Sequence, residues 1–156
     1  MDYALPMVVI ALTIPFFFAL GRRGFASFGR LQIGLQIFVA AVMVLAGCGH
    51  LLWPRLVANA IPPMFPHRYE LAIITGACAI LGGCGLLLRR TQRLAAICLA
   101  VFMVTIFPSN IYIAGRTLGP VTFPGVPLRG AMQIVFIALI LLGGWGTPIP
   151  AAKSLD

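Results

Sequence analysis

Six side chains near the ends of apolar segments are of types that could bind a polar molecule inside a membrane. They are His50, Trp53, Asn110, Tyr112, Arg129 and Gln133. Polar and ionisable groups are expensive in lipid, so each is a functional candidate. The four-residue step from Arg129 to Gln133 places both on one helix face. Together the six predict a small pocket for a quinone head group, with His50 or Asn110 donating to a carbonyl and Trp53 or Tyr112 stacking on the ring.

The same residues also have a structural interpretation. Trp53, Tyr112 and His50 are typical anchors at the membrane–water interface. Arg129 would then contact lipid phosphate, while Asn110 and Gln133 would form hydrogen bonds between helices. The sequence leaves both interpretations open, and a quinone is the one cofactor that the pattern suggests.

The cysteines raise a separate question of redox chemistry. They are Cys48, Cys78, Cys84 and Cys98, and all lie within apolar segments. No CxxC pair and no Cys/His metal spacing is present, so no metal site is predicted. One interpretation is small, polarizable packing residues. The alternative is a redox pair of Cys84 and Cys98, because both are expected about one turn inside the same membrane face.

Side chains for ordinary catalysis are scarce. The sequence contains no plausible pair of carboxylates for general acid–base catalysis and no Ser-His-Asp arrangement with a suitable acid. His50 and His67 have only Glu70 as an obvious further metal ligand, fewer than ordinary sites require. Whether the protein is an enzyme is therefore undecided at this level.

Composition assigns the chain to the membrane. Hydrophobic residues make up 61% of its 156 residues and charged residues only 9%, against roughly 25% charged in soluble domains. A soluble chain of this size could not bury so much apolar surface. The net charge of +8 comes from basic residues that flank apolar runs. This placement indicates membrane topology and argues against nucleic-acid binding.

Five apolar segments predict an all-α membrane protein with a single transmembrane domain over residues 1–156. The segments span about 3–20, 31–52, 69–88, 94–114 and 128–145. Each is close to the ~20 residues that a membrane-spanning helix requires. The first is short and contains Pro6 and Pro15, but it lacks the basic start and the cleavage site of a signal peptide. We interpret it as a retained helix.

The distribution of basic residues predicts the orientation. One side of the predicted topology holds seven basic residues, namely Arg22, Arg23, Arg30, Arg89, Arg90, Arg93 and Lys153. The other side holds four, namely Arg55, Arg68, Arg116 and Arg129. The positive-inside rule then places the N-terminus outside and the C-terminus in the cytoplasm of a bacterial inner membrane.

Small residues recur along one face of the third predicted helix. They are Ala72, Gly76, Ala79 and Gly83, at steps of four, three and four. Such a stripe lets two helices approach closely in lipid. It therefore predicts a helix-packing face.

Short motifs in a fixed order resemble the DoxX family of small bacterial membrane proteins, over about 100 residues from Leu31 to Leu142. The matching elements are Gly47–Leu51 (GCGHL), Ile61–Pro66 (IPPMFP), Thr75–Gly76 with Leu81–Leu87 (LGGCGLL), Phe107–Tyr112 (FPSNIY), and Leu128–Arg129 with Gln133. The resemblance implies a four-helix transmembrane bundle, here with one additional N-terminal helix. It also implies a link to thiosulfate:quinone oxidoreduction or to thiol-redox complexes.

One departure from the DoxX pattern affects any inherited mechanism. The family often has a glutamate where this chain has Ala79. Glu70 lies nine residues earlier, which is about 900° of helical rotation, so it would face the opposite side of the helix. A mechanism that requires that carboxylate inside the membrane is therefore in doubt.

Three functions remain in competition. The leading hypothesis is an accessory or structural subunit, packed as a homo-oligomer or within a larger membrane complex. The first alternative is a quinone- or thiol-linked oxidoreductase component that receives electrons from a partner. The weaker alternative is a small-solute transporter, since no inverted repeat is evident.

Overall fold

The computed structural model describes residues 28–118 and 121–145, and this part of the chain is mostly helical. The first predicted helix, 3–20, lies outside the described residues, as do several of the basic residues that predict the orientation. The helices and strands are α1 (Phe28–Leu52), α2 (Pro54–Ala60), α3 (Arg68–Leu87), α4 (Gln92–Thr105), α5 (Phe107–Tyr112), β1 (Thr117–Leu118), β2 (Val121–Thr122) and α6 (Val126–Gly144).

Three of these helices are long and apolar enough to cross a membrane. They are α1, over Gln32–Leu52, together with α3 and α6. Their outward faces carry large apolar side chains, such as Leu45, Leu81 and Ile134, each more than 70% exposed. Surface of this kind suits hydrocarbon and not water. The prediction of a helical membrane protein is confirmed to this extent.

The fourth predicted helix, 94–114, differs from the structure because it is divided. α4 ends at Thr105 and α5 begins at Phe107. Pro108 has no backbone N–H, so it cannot continue the hydrogen-bond ladder of α4. The amides of Ser109 and Asn110 both bond to the carbonyl of Ile106. α4 is consequently a 14-residue apolar helix, and Asn110 lies on a separate short helix.

Four apolar helices surround a common core. α1 contacts α3, α3 contacts α4, α4 contacts α6, and α6 closes the ring against α1. Adjacent helices run in opposite directions: across α1 and α3, for example, Gly47 approaches Gly76 while Ala40 approaches Gly83. The largest fully buried side chains are Val39, Leu86, Leu99 and Ile140, one from each helix.

The small-residue stripe of α3 faces α1. All four of its members, Ala72, Gly76, Ala79 and Gly83, are buried. A Cβ added at Gly83 would lie 2.9 Å from the carbonyl oxygen of Ala40, and one at Gly76 would lie 3.0 Å from that of Gly47. The two backbones therefore approach too closely for larger side chains, which is how small residues join helices in lipid.

Three glutamines fasten one end of the bundle, which we call the glutamine end (Gln32, Gln36 and Gln92). Gln32 Nε2 donates to the carbonyl of Leu142 at 3.0 Å, and Gln92 Nε2 donates to that of Gly143 at 2.9 Å. Gln36 Nε2 donates to the carbonyl of Leu86. These carbonyls belong to the last turns of α3 and α6, where no intrahelical partner remains. Each amide thus satisfies an acceptor on a neighbouring helix.

Two structured connections cover the opposite end of the bundle. The first contains α2 and the proline-rich segment Ile61–Pro66, whose residues Ile61 and Pro62 are buried. The second contains a two-stranded antiparallel hairpin with Thr117 opposite Thr122. Its base is closed by a bond from the Phe123 amide to the Arg116 carbonyl, at 2.9 Å. This closure holds Phe123 and the buried Pro124 next to the start of α6.

Candidate functional site

Polar side chains from three helices converge beneath these connections, at what we call the arginine end (His50, Asn110, Arg129 and Gln133). Arg129 Nη2 donates to Asn110 Oδ1 at 2.6 Å. Asn110 Nδ2 in turn donates to Gln133 Oε1, and Gln133 Nε2 donates to the carbonyl of Met103. The result is a chain of hydrogen bonds that links α6, α5 and α4.

Local structure explains why these side chains meet. Arg129 and Gln133 are one turn apart near the start of α6, so they share a face. Asn110 reaches them because α5 begins anew after the break at Ile106. The same break leaves the Met103 carbonyl close to the end of α4, where it accepts from Gln133.

His50 belongs to the same region through a separate contact. Its Nδ1 lies 3.1 Å from Thr75 Oγ1, across the α1–α3 contact. The Thr75 hydroxyl donates to the carbonyl of Leu71 at 2.8 Å, with the Ala72 carbonyl as a second acceptor. The His50–Thr75 contact therefore joins α1 to α3 at the arginine end.

A central cavity of about 330 Å³ lies between the helices at this end. His50, Asn110, Arg129 and Gln133 all contribute to its lining. The remaining lining is apolar, with contributions from Met43, Ala79, Phe102, Met103, Met132 and Phe136 among others. A cavity of this size with few polar groups is typical of a small-molecule site.

A second cavity, the outer cavity, lies beneath α2 and the hairpin and measures about 380 Å³. Its lining includes Thr75 and Ser109 as polar groups and many apolar side chains from the two connections. Both cavities share a wall that consists of His50, Ile106, Asn110, Phe123 and Arg129. Arg129 is thus accessible from both sides of this wall.

Arg129 is a cation with incomplete compensation. Its guanidinium carbon lies 4.8 Å from the centroid of the Phe123 ring, a distance typical of a cation–π contact. Its Nε is buried and has no hydrogen-bond partner within the described residues. The one carboxylate in that part of the chain, Glu70, is 59% exposed and lies 4.0 Å from His67. No protein carboxylate therefore balances Arg129 there.

The structure separates the remaining predicted site residues from the pocket. Trp53 is 62% exposed and lines neither cavity. Tyr112 also lies outside both linings and instead carries the Arg116 guanidinium 4.0 Å above its ring. The aromatic walls of the central cavity come from Phe102, Phe123 and Phe136, so the aromatic rings available to a ligand differ from those we predicted.

The candidate redox pair lies on the outer surface of the bundle. Cys84 and Cys98 are free thiols and both are exposed, on α3 and α4 respectively. Neither lines a cavity described above. Within the described residues, no group of three or more His, Cys, Asp or Glu is placed to hold a metal ion.

Two important residues escaped the sequence analysis. Thr75 contacts the His50 ring across α1 and α3, although it appears in the sequence only as part of a family-like motif. Phe123 is an apolar residue in a proline-rich connection, and nothing in its sequence context indicates that its ring would face Arg129. Its role becomes visible only once the hairpin and α6 are placed together.

Comparison with known proteins identifies a family without assigning an activity. The sequence profile of a family described as a domain of unknown function, DUF8561, matches residues 39–142. No curated protein and no solved structure matches the chain. The match covers two thirds of the chain and includes every residue of the arginine end. The chain therefore belongs to the DUF8561 family.

Proposed function

We propose that this member of the DUF8561 family is a membrane-embedded binding subunit that holds the head group of a small amphiphilic molecule at its arginine end. It would serve as an accessory component of a larger membrane complex. The observation that supports this proposal is the chain of hydrogen bonds from Arg129 through Asn110 and Gln133, which borders an apolar cavity of about 330 Å³. Polar groups that fix orientation within an apolar enclosure are the usual composition of a ligand site.

A binding role accounts for the chemistry of these groups better than catalysis does. Arg129 supplies donors only, and a guanidinium does not exchange protons at physiological pH. Asn110 and Gln133 hold one another in place. His50 lines the cavity, and an imidazole ring offers a hydrogen-bonding group to a ligand. The site can therefore orient a molecule, whereas a redox reaction would need a partner to supply electrons.

The proposal includes the membrane and the topology. We place the chain in a bacterial inner membrane with five crossings, the N-terminus outside and the C-terminus in the cytoplasm. The seven-to-four distribution of basic residues supports this orientation. The arginine end then faces the outer side of the membrane.

The relation to the DoxX family is also a proposal. Its support consists of the ordered motifs and of the ring of four apolar helices, to which an N-terminal helix would be added. Ala79 faces the central cavity, so the site contains a methyl group where the DoxX pattern often has a glutamate. A DoxX-like mechanism that depends on that carboxylate has no counterpart at this position.

Association with other subunits must use surfaces other than the stripe. Ala72, Gly76, Ala79 and Gly83 are buried against α1 within the chain, so they are not available to a partner. Within the described residues, the exposed apolar faces of α1, α3, α4 and α6 offer surfaces for a homo-oligomer or a complex.

The test is native mass spectrometry of the protein released from its membrane in mild detergent. We expect a co-purifying small molecule that is lost from Arg129→Gln and retained by Arg116→Gln, which removes an exposed arginine from the same end. Equal retention by both variants, or a protein that never carries a small molecule, would contradict the binding role.

A quinone-linked redox component is the second candidate. The rings of Phe102, Phe123 and Phe136 lie around four hydrogen-bonding side chains and favour it, because a quinone presents a flat ring with two acceptors. Its test is reduction of added decylubiquinone by the intact complex. A rate that is unchanged when His50, Asn110, Arg129 and Gln133 are all replaced would exclude it.

A further inference from the structure

The charge of Arg129 identifies the class of ligand more closely than the shape of the cavity does. Its polar contact within the described residues is the neutral oxygen of Asn110, and its Nε has no hydrogen-bond partner there. The Phe123 ring adds only the weak attraction of its π face. Both cavities have Arg129 in their lining and no carboxylate among the described lining residues.

An unbalanced cation within a membrane protein is unfavourable. Charged groups at membrane depth are usually paired, because burial removes the water that would otherwise stabilise them. A neutral acceptor such as a carbonyl compensates only partly, since a hydrogen bond between two ionised groups is roughly twice as strong as a neutral one. An oxyanion is therefore the most favourable partner for the Arg129 guanidinium, which lines both cavities.

The walls around Arg129 describe the rest of the ligand. The central cavity is lined mainly by apolar side chains, including Met43, Phe102, Met132 and Phe136. Such walls suit a hydrocarbon chain and exclude a second charge. We infer that the ligand is an anionic amphiphile, with a single oxyanion, a carboxylate or a phosphodiester, against Arg129 and its apolar chain in the central cavity; this inference rests on the proposed binding function.

Ala79 provides a direct way to test the charge. It is buried on α3 and lines the central cavity together with Arg129. A glutamate at position 79 would supply a carboxylate from the protein itself. A glutamine there would occupy nearly the same volume without charge. The pair Ala79→Glu and Ala79→Gln therefore separates charge from size.

The experiment measures saturable binding to the full chain in phosphatidylcholine nanodiscs, with matched discs without protein as the background. The probes are dodecanoate, dodecanol and decylubiquinone. We expect wild type to prefer dodecanoate over dodecanol by about tenfold or more. Arg129→Gln and Ala79→Glu should abolish this preference. Arg116→Gln and Ala79→Gln should retain the ratio, even if added volume at position 79 weakens all probes alike.

Thermal unfolding of each variant verifies that the bundle is intact. Discs that contain phosphatidylglycerol distinguish the source of the oxyanion. If this lipid displaces dodecanoate from wild type but not from Arg129→Gln, the result would support the inference and assign the ligand to the bilayer lipids. Equal binding of all three probes would overturn the anionic class but leave the binding function standing. The absence of saturable binding by any probe, together with no co-purifying molecule, would overturn both.

Discussion

The glutamine end and the arginine end of the bundle contain similar numbers of polar side chains but use them differently. At the glutamine end, Gln32, Gln36 and Gln92 each donate to a helix carbonyl, and donors and acceptors are matched across helices. At the arginine end, Arg129, Asn110 and Gln133 bond to one another in a chain that ends on a single carbonyl. A buried donor of Arg129 has no partner within the described residues, and two cavities adjoin it. Matched groups fasten helices, whereas unmatched groups beside a cavity favour a ligand.

α1 and α3 pack tightly near both ends of the bundle. A Cβ at Gly47 would lie 2.5 Å from the Gly76 carbonyl oxygen, and one at Gly83 would lie 2.9 Å from that of Ala40. We expect Gly47→Ala and Gly83→Ala each to lower the free energy of unfolding by about 1–3 kcal/mol. Denaturation by sodium dodecyl sulfate from mild detergent measures this change.

The matched control for these glycines is Gly49→Ala, because a Cβ at Gly49 meets nothing within 4 Å. It should be neutral or stabilise by up to about 1 kcal/mol, since alanine favours a helix more than glycine does. If only one of the two glycine variants were destabilised, the helices would be packed more loosely near the other glycine. Loose packing, and not ligand binding, could then explain why the arginine end and the glutamine end differ.

Asn110→Asp should make the arginine end resemble the glutamine end. The new carboxylate would accept from Arg129, whose Nη2 already lies 2.6 Å from Asn110 Oδ1. We expect affinity for dodecanoate to fall about tenfold, with a gain in stability of at most about 1 kcal/mol because Arg129 is only partly buried. Asn110→Ala, which adds no charge, should retain the preference for dodecanoate over dodecanol. If Asn110→Asp kept its affinity for dodecanoate and Asn110→Ala lost the preference over dodecanol, Arg129 would need no anionic partner.

Replacement of glutamine by leucine should separate the residues that only join helices from those that also support ligand binding. Gln36→Leu leaves the Leu86 carbonyl without its side-chain donor and should cost about 1 kcal/mol of stability. It should leave probe binding unchanged. Gln133→Leu removes the partner of Asn110 and should reduce probe binding as well as stability. Thermal unfolding and probe binding in nanodiscs are measured on the same samples of both variants. Equal effects of Gln36→Leu and Gln133→Leu on probe binding would contradict the separation.

The smallest expected effect concerns the aromatic ring beside Arg129. Phe123→Leu retains an apolar side chain but removes the cation–π contact at 4.8 Å. Loss of this contact, worth about 0.5–1 kcal/mol, should reduce dodecanoate affinity roughly three-fold, because the guanidinium would be held less firmly in position. Tyr112→Leu, which removes the corresponding contact to Arg116, should leave affinity unchanged. A similar loss in both variants would indicate a general change at this end.

The long apolar segments were the most predictable part of the fold. The predicted helices 31–52, 69–88 and 128–145 correspond to α1, α3 and α6, because length and composition suffice to define a membrane-spanning helix. Segment 94–114 was less predictable. Pro108 suggests an interruption, but tertiary contacts determine whether a proline bends a helix or divides it.

The candidate site was predictable in part. Asn110, Arg129 and Gln133 stand out as polar residues in apolar surroundings, and the structure joins them by hydrogen bonds. Trp53 and Tyr112 were equally plausible by type, yet they lie outside both cavities. Residue type shows which side chains can bind a ligand, but their direction depends on how each helix is rotated in the bundle.

The amino-acid sequence by itself determined that lipid surrounds this protein and where its longest helices lie. It also determined the short set of polar groups whose burial in lipid is unfavourable. These depend on local composition, which any segment of chain carries with it. Only the tertiary structure decided which acceptors the glutamines reach, where α4 ends and α5 begins, and that Arg129 lies between two cavities beside Phe123. Those outcomes depend on pairings between distant segments. Every residue has a backbone carbonyl, so the sequence does not show which carbonyl a given glutamine will reach.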